Sequence, residues 1–291
     1  MSETGITPEL RADILVEAIP FLSRFSGSRI VVKYGGNAIA GGDEETALQS
    51  FADDVLALHS VGMQPVVVHG GGPQIGDLLS RLGMESEFRE GLRVTDDETL
   101  EVARMVLVGQ VNSELVGAIN QKRPVAVGLS GEDARLIQVR RHQPDIGYVG
   151  DIESVETKLL DHLIVGGFIP VIATIGADDD GQAYNINADT VAGAIAAALK
   201  AEKLVFLTDV AGIRSDADDP TSVVSTLTPA ELDGFINSGV VNSGMIPKAA
   251  ACVEAVRSGV RSAHILDGRA AHALLVELFS EGGIGTMVVQ Q

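Results

Sequence analysis

One cysteine, Cys252, stands in a chain of 291 residues. A single thiol excludes an internal disulfide framework and fits a reducing compartment. Long apolar runs are scarce as well. The alanine-rich run Val191–Leu199 is too short to span a bilayer. The N-terminal stretch carries acidic residues and no basic start, so it does not read as a secretory signal. The expectation is a soluble, cytoplasmic protein. Positive charge is the third scarcity. Lys and Arg number 21 against 40 Asp and Glu, a formal net charge of −19. Such a chain repels nucleic acid and anionic membranes. The acidic excess is also compatible with a salty habitat. An anionic ligand would need local positive charge to overcome that field. Attention therefore falls on six lysines, at 33, 122, 158, 200, 203 and 248.

Familiar catalytic signatures are missing too. There is no Gly-x-x-x-x-Gly-Lys-Ser/Thr phosphate loop. The spacing Gly70-x-Gly72-x-x-x-Gly76 only approximates a dinucleotide fingerprint, and no strand-end acid follows at the usual distance. His-Gly-Gly-Gly occurs as the oxyanion hole of lipase-like hydrolases, but their Gly-x-Ser-x-Gly is absent, and Gly128-Leu129-Ser130-Gly131 misses it. The six histidines and one cysteine show no zinc spacing, so no metal site is expected from side chains. No internal repeat or low-complexity linker is visible.

What remains is a pattern of strands running into glycines. Residues 66–73 read Val-Val-Val-His-Gly-Gly-Gly-Pro. A β-branched run of this kind is a buried strand, and Pro73 suits the first turn of a helix. Three glycines weaken any regular element. At a strand-to-helix turn they let backbone N–H groups approach an anion unobstructed. A tight turn would need only one or two. Ile30–Asn37 repeats the design, with Lys33 at the strand end before Gly35-Gly36, where ligands of open α/β sheets bind.

Strands at 30–33, 65–69, 125–129, 169–175 and 204–208 alternate with helices at 46–61 and 74–82. This predicts an α/β fold with a mainly parallel sheet. Thr7, Pro8 and Glu9 begin an N-terminal helix over 7–25 with an apolar stripe, kinked at Pro20. Asp178-Asp179-Asp180-Gly181 reads as a solvated hairpin turn. Asn185–Leu199 begins polar and becomes an alanine-rich helix. A division into lobes falls near residue 200.

Four further segments carry candidate chemistry. Arg93, in Gly91-Leu-Arg-Val-Thr95, is either a bidentate clamp for a carboxylate or half of a rim salt bridge. Asn185-Ile-Asn-Ala-Asp189 has more polar side chains than a helix cap requires. Asn185 suits a ligand amide or carboxylate, and Asp189 suits holding a lysine. Asp209, in Leu207-Thr-Asp-Val210, either contacts a ribose or base or closes an Asx-turn. Lys248 follows Pro247 at a helix start, where the helix dipole disfavours a cation.

Taken in order and spacing, Lys33–Asn37, His69–Pro73, Gly91–Thr95, Asn185–Asp189, Leu207–Val210 and Gly244–Lys248 resemble the amino acid kinase family across essentially the whole chain. The resemblance implies a three-layer αβα sandwich. It also implies phosphorylation of the side-chain carboxylate of N-acetyl-L-glutamate by ATP, with Mg²⁺ held mainly through the ATP phosphates, in arginine synthesis. By the same resemblance Lys33 and Lys248 stabilise the transition state and Asp189 orients them. Gly71, Gly72, Arg93 and Asn185 bind the acetylated amino acid. Gly35, Gly36, Asp209 and Gly212 belong to the nucleotide site. The N-terminal helix and the ending with Glu277 and Gly283 resemble members that arginine inhibits. In those members the helix (residues 1–26 here) interlaces dimers into a hexamer. Residues 27–200 would form the substrate lobe and 201–291 the nucleotide lobe with the arginine segment. Two rivals are a kinase of a related acyl-amino acid, such as an acetylaminoadipate, and a silent amino-acid sensor. Carrier-linked relatives of the first would need a basic surface, and retention of both lysines and Asp189 disfavours the second.

Overall fold

The computed structural model describes residues 7–35, 44–89, 91–216, 219, 221–241, 244–280 and 282–290. The candidate Gly36 lies outside them. The chain begins with α1 (Pro8–Phe25), β1 (Arg29–Tyr34), α2 (Glu44–Ser60), β2 (Gln64–His69) and α3 (Gly72–Arg81). Next come the hairpin β3 (Phe88–Arg89) and β4 (Leu92–Arg93), then α4 (Asp97–Arg104), a π-helical segment (Met105–Val111) and α5 (Asn112–Lys122). These lead to β5 (Ala126–Ser130), β6 (Ile137–Arg141), β7 (Gly150–Val155), α6 (Lys158–Val165), β8 (Ile169–Ala173), β9 (Ile175–Ala177) and β10 (Ala183–Asn185). The remainder is α7 (Ala188–Ala198), β11 (Lys203–Thr208), β12 (Thr226–Leu227), α8 (Pro229–Asn237), α9 (Ile246–Arg257), β13 (Ser262–Asp267), α10 (Ala273–Phe279) and β14 (Thr286–Val289).

The main sheet has the order β12-β14-β13-β11-β1-β2-β8-β5, and its pairs are parallel except β13 with β14. Its central strands are continuous apolar runs because both faces are covered, as parallel sheets require. The pleat sends alternate residues to opposite layers. Val31, Val66, Val68, Leu204 and Phe206 join a core with α7, α8 and α9. Ile30, Val32, Val67, Val205 and Leu207 join another with α2, α5 and α10. The result is the expected αβα sandwich. The division near residue 200 falls between β1 and β11, which are neighbours in one sheet.

Several local expectations hold. Thr7 Oγ1 accepts from Leu10 N at the start of α1, and the helix runs on through Pro20. β9 and β10 form the hairpin around Asp178, whose Oδ1 accepts from the backbone N–H of Asp180 and Gln182. The single strand expected over 169–175 is instead two. Thr174 gives its carbonyl to Ile186 N, so β8 stays in the main sheet while β9 joins a four-stranded sheet, β10-β9-β6-β7.

The helical stretch 97–122 had no counterpart among the expected elements. By length and composition it is apolar enough to cross a membrane. Half of its most apolar window is buried inside the fold, with Leu107, Leu115 and Ile119 in the core. Its apolarity serves packing.

Candidate active site

β1 and β2 end side by side, with Lys33 opposite Val68 and Tyr34 opposite His69. Their carboxyl ends open onto the two glycine segments. Helix α7 starts against them. Asn187 caps it by accepting from Asp189 N at 2.9 Å and Thr190 N at 3.1 Å. That explains Asn187 as a cap and leaves Asp189 in the first turn, where the helix dipole favours an acid.

Asp189 is 5% exposed and lies between two cations. Lys33 Nζ is 3.0 Å from Oδ1 as an ion-pair contact without hydrogen-bond alignment. Lys248 Nζ donates to Oδ2 at 3.2 Å. Burial alone would raise the Asp189 pKa, but the charges of Lys33 and then Lys248 overcome it and hold the carboxyl below its ordinary value. Lys248 sits at the start of α9, where a cation is disfavoured. Two ammonium groups share one carboxylate, so the cluster carries one surplus positive charge. A buried surplus charge needs a partner.

Beside it lies a cavity of about 150 Å³ lined by Gly71, Gly72, Arg93 and Asn185, together with Phe88, Leu107, Thr174 and Asn187. A Cβ on Gly71 would come 2.8 Å from Leu107 Cδ2 and 3.2 Å from Val111 Cγ2, so the π-helical segment packs directly under the turn. A Cβ on Gly72 meets nothing within 4 Å. Arg93 is 8% exposed. Its Nη2 donates to Gly72 O at 2.9 Å, Nη1 donates to Ser86 Oγ, and the guanidinium lies over the Phe88 ring at 4.6 Å. Among the described residues no carboxylate pairs with Arg93. Asn185 Nδ2 donates to Thr95 Oγ1 at 3.4 Å, and Thr95 Oγ1 donates to Arg93 O at 2.8 Å. Phe88 and Leu107 carried no signal that sequence reasoning used, and Thr95 entered only as the end of the Gly91–Thr95 segment.

The nucleotide candidates separate. A Cβ on Gly35 would meet Leu207 O at 2.9 Å and Lys33 Nζ at 3.4 Å, so only glycine allows this approach. Gly212 has φ of +157° and its Cβ would lie 2.5 Å from Thr286 Oγ1. It lines a second cavity of about 150 Å³ with Val210, Ile213, Arg214, Val240, Val241 and Met245. Asp209 is exposed and does not line it. The turn there is closed by Thr208, whose Oγ1 accepts from Val210 N at 3.0 Å, so an Asx-turn at Asp209 is not what closes it.

A third cavity, of about 420 Å³, lies between the end of α1, β13 and α10. It joins Glu277 and Gly283, whose Cβ would approach Glu277 Oε2 to 2.7 Å. Glu277 Oε1 accepts from His264 Nδ1 at 2.6 Å, and Oε2 accepts from Ile284 N at 2.7 Å. Lys203 Nζ donates to His264 Nε2 at 3.0 Å and sits 5.0 Å from the Phe25 ring. Burial lowers the Lys203 pKa to about 8 and also lowers that of His264. Burial would raise the Glu277 pKa, but the His264 hydrogen bond and the backbone donors bring it below its ordinary value. Lys203 was one of the six candidate lysines but had no role assigned to it, and His264 was not among the expected residues, because nothing in their local sequence separates them from core strand positions.

The family model described as the amino acid kinase family matches residues 28–267. A curated acetylglutamate kinase of Symbiobacterium thermophilum is 50% identical over 289 residues, covering 96% of this chain and 98% of its own. One from Saccharopolyspora erythraea is 52% identical over 301 residues, covering 99% and 98%. Among solved structures, the N-acetylglutamate synthase of Neisseria gonorrhoeae, complexed with coenzyme A and N-acetyl-glutamate, superposes with a TM-score of 0.85 at 27% identity. That match covers 96% of this chain and 63% of the synthase. The same synthase has also been solved with coenzyme A and L-arginine, at a TM-score of 0.84 and 27% identity, covering 96% of this chain and 65% of that one.

Proposed function

We propose how this chain, which belongs to the amino acid kinase family and within it to the acetylglutamate kinases, carries out its chemistry. The enzyme phosphorylates N-acetyl-L-glutamate in arginine biosynthesis, with ATP as the phosphoryl donor. The acceptor lies in the cavity of Gly71, Gly72, Arg93 and Asn185, with its α-carboxylate on Arg93. The nucleotide enters from the side of Gly35 and Gly212. A side-chain carboxylate oxygen attacks the γ-phosphorus while the bond to the bridging oxygen breaks and its electron pair leaves on ADP. The products are the acyl phosphate and ADP. No proton moves, because the attacking carboxylate is already ionised near neutral pH. A catalytic His or Cys is therefore not required.

Phosphoryl transfer needs positioning and charge stabilisation. Lys33 and Lys248 supply the charge, Asp189 holds them apart at fixed positions, and the glycine-turn N–H groups add donors. The observation that carries this reading is the surplus positive charge of Lys33–Asp189–Lys248 beside an open glycine turn. Asp189 has both oxygens on lysines and offers no cage for Mg²⁺, which we assign to the ATP phosphates. ADP release measured with acetylglutamate, glutamate and acetylaminoadipate tests the reading. Lys33→Ala and Lys248→Ala should each lower kcat by roughly 10²–10³, the cost of one preorganised stabiliser. Wild-type turnover in both would refute it, and preference for acetylaminoadipate or no turnover would favour the rival kinase or the sensor.

We assign feedback inhibition by arginine to the third cavity. Glu277 suits a guanidinium, and Lys203 with Arg24 suits an α-carboxylate. The Neisseria synthase solved with L-arginine supports the chemistry by analogy. Leu10, Ile14, Leu15, Val16 and Ile19 of α1 are exposed apolar residues, which supports interlacing of dimers into a hexamer. The same reading puts residues 27–200 in the substrate lobe and 201–291 in the nucleotide lobe, in a cytoplasmic enzyme.

A further inference from the structure

His69 ends β2 at the edge of the substrate cavity, is fully buried, and has no part in the reaction above. Its two ring nitrogens are both engaged. Asn112 Nδ2 lies 3.0 Å from Nε2, and Nδ1 lies 3.0 Å from Gly70 O. The amide of Asn112 has its own orientation fixed, because one Nδ2 hydrogen goes to Val171 O at 2.9 Å, with Leu129 O at 3.4 Å sharing a hydrogen at most, which leaves the other for His69. A flipped amide would set its oxygen against those carbonyls. An amide nitrogen only donates, so Nε2 must be the acceptor. A carbonyl only accepts, so Nδ1 must carry the proton. The two demands select one neutral tautomer. A protonated ring would set an N–H against the Asn112 amide. Burial, with a further contribution from the Lys33 charge, lowers the His69 pKa to about 4.

Asn112 is the first residue after the π-helical segment. Such segments are frequent at functional sites. The same segment puts Leu107 and Val111 under Gly71. One element thus supports two successive peptides of the glycine turn, through packing at Gly71 and through His69 at Gly70.

We propose that His69, locked by Asn112 in its Nδ1–H tautomer, is a positioning residue that holds the Gly70 carbonyl back so that the following N–H groups face the transferring phosphoryl. This rests on the assignment of the glycine turn to the substrate and phosphoryl site. The expected effect lies in kcat, since misplacing preorganised donors costs the transition state more than the ground state.

Two replacements separate the roles of the nitrogens. In His69→Asn the amide nitrogen stands near the place of Nδ1 and keeps a donor for Gly70 O. In His69→Gln the amide reaches the place of Nε2 and the donor to Gly70 O is lost. Steady-state kinetics of the full chain should show His69→Asn within about threefold of wild-type kcat. His69→Gln should lose about 10²-fold, the scale of an ångström-sized misplacement, with both KM values changed less than threefold. Nitrogen-15 NMR of the wild-type imidazole should show the Nδ1–H tautomer unchanged from pH 5 to 8. The inference is overturned by an Nε2–H tautomer or by titration within that range. It is equally overturned if His69→Gln keeps wild-type kcat, or if His69→Asn falls as far as His69→Gln at equal folded fraction. The NMR arm needs no variant to fold. Gly72→Ala separates the two levels: wild-type kinetics there would remove the glycine-turn assignment itself, whereas a slowed Gly72→Ala beside a normal His69→Gln would remove only the role of His69.

Discussion

Asp189→Asn isolates the charge that holds the centre together. Asparagine keeps the shape and one acceptor oxygen, so whatever is lost reports on the missing negative charge. In the wild type that charge lies 3.0 Å from Lys33 Nζ and 3.2 Å from Lys248 Nζ. Lys33 is 7% exposed and cannot recover its hydration in the variant. Breaking a buried pair by removing one partner costs about 3–5 kcal/mol. In a chain of this size that is a fall in Tm of roughly 6–10 °C. The sign of the pH dependence follows from the depressed Asp189 pKa. Its contribution is fully present above the unfolded value near 3.8 and disappears as pH falls through the folded value. The wild-type and variant stabilities should therefore differ at pH 7 and converge in acid. Nucleotide should narrow the gap, because the triphosphate supplies the anion that the two lysines lack. MgATP should raise Tm by more in the variant than in the wild type. Turnover should fall by about 10²-fold or more, since lysines free to follow the phosphates no longer wait where transition-state charge develops. Thermal melts with and without MgATP, alongside ADP-release kinetics, give all three readings. A variant that melts within 2 °C (about 1 kcal/mol) of wild type and keeps kcat within about threefold would refute the argument.

The two site glycines should respond oppositely to one methyl group. Gly71→Ala forces a Cβ against Leu107 and Val111 and should cost about 1–3 kcal/mol in denaturant melts. Gly72→Ala meets no protein atom, so its stability should match or exceed wild type while catalytic efficiency toward acetylglutamate drops. Lys203 has a folded pKa of about 8 against an ordinary 10.5, so the unfolded chain binds the extra proton between those values. That group's cost is present below about pH 8 and is relieved as pH climbs toward 10.5. Arginine inhibition should weaken from pH 7 to 9 as the Lys203 ammonium is lost, and Lys203→Met should flatten that profile; a wild-type profile already flat would remove Lys203 from the effector site. Deleting residues 1–25 should give dimers with a weak arginine response by light scattering and inhibition assay, and an unchanged hexamer would count against the role of α1.

The core strands were legible because a parallel sheet leaves a local signature. Ile30–Lys33, Pro65–His69 and Leu204–Thr208 are continuous apolar runs, and the structure pairs all of them centrally. The stretch 97–122 was not legible, for a physical reason. Its apolar residues serve two surfaces at once: Leu115 and Ile119 enter the core, Leu107 and Val111 support Gly71, and Met105 and Val108 remain exposed. A π-helical turn in its middle shifts the apolar face, so no single helical period describes it. The strand break at Thr174 was invisible because its cause, the bond from Ile186 N, comes from a distant segment.

The candidate site divides along the same line. Lys33, Asp189 and Lys248 each broke a local rule: a lysine at a strand end, an excess of polar groups at a cap, a cation at a helix start. Such breaks are expected where function overrides stability, and the two lysines converge on the Asp189 carboxylate. Lys203, His264, Thr95 and His69 broke no local rule. Each is buried in or beside a strand, and its meaning resides in a partner elsewhere in the chain: His264 for Lys203, Glu277 for His264, Asn185 for Thr95, Asn112 for His69. Sequence therefore exposes residues that are locally misplaced and hides those whose support is tertiary. The glycine turn shows both kinds within five residues. Gly70, Gly71 and Gly72 raised the expectation of an anion site by their number alone, whereas the imidazole beside them reads from sequence as the end of a strand, and its contact with Asn112 is visible only in the fold.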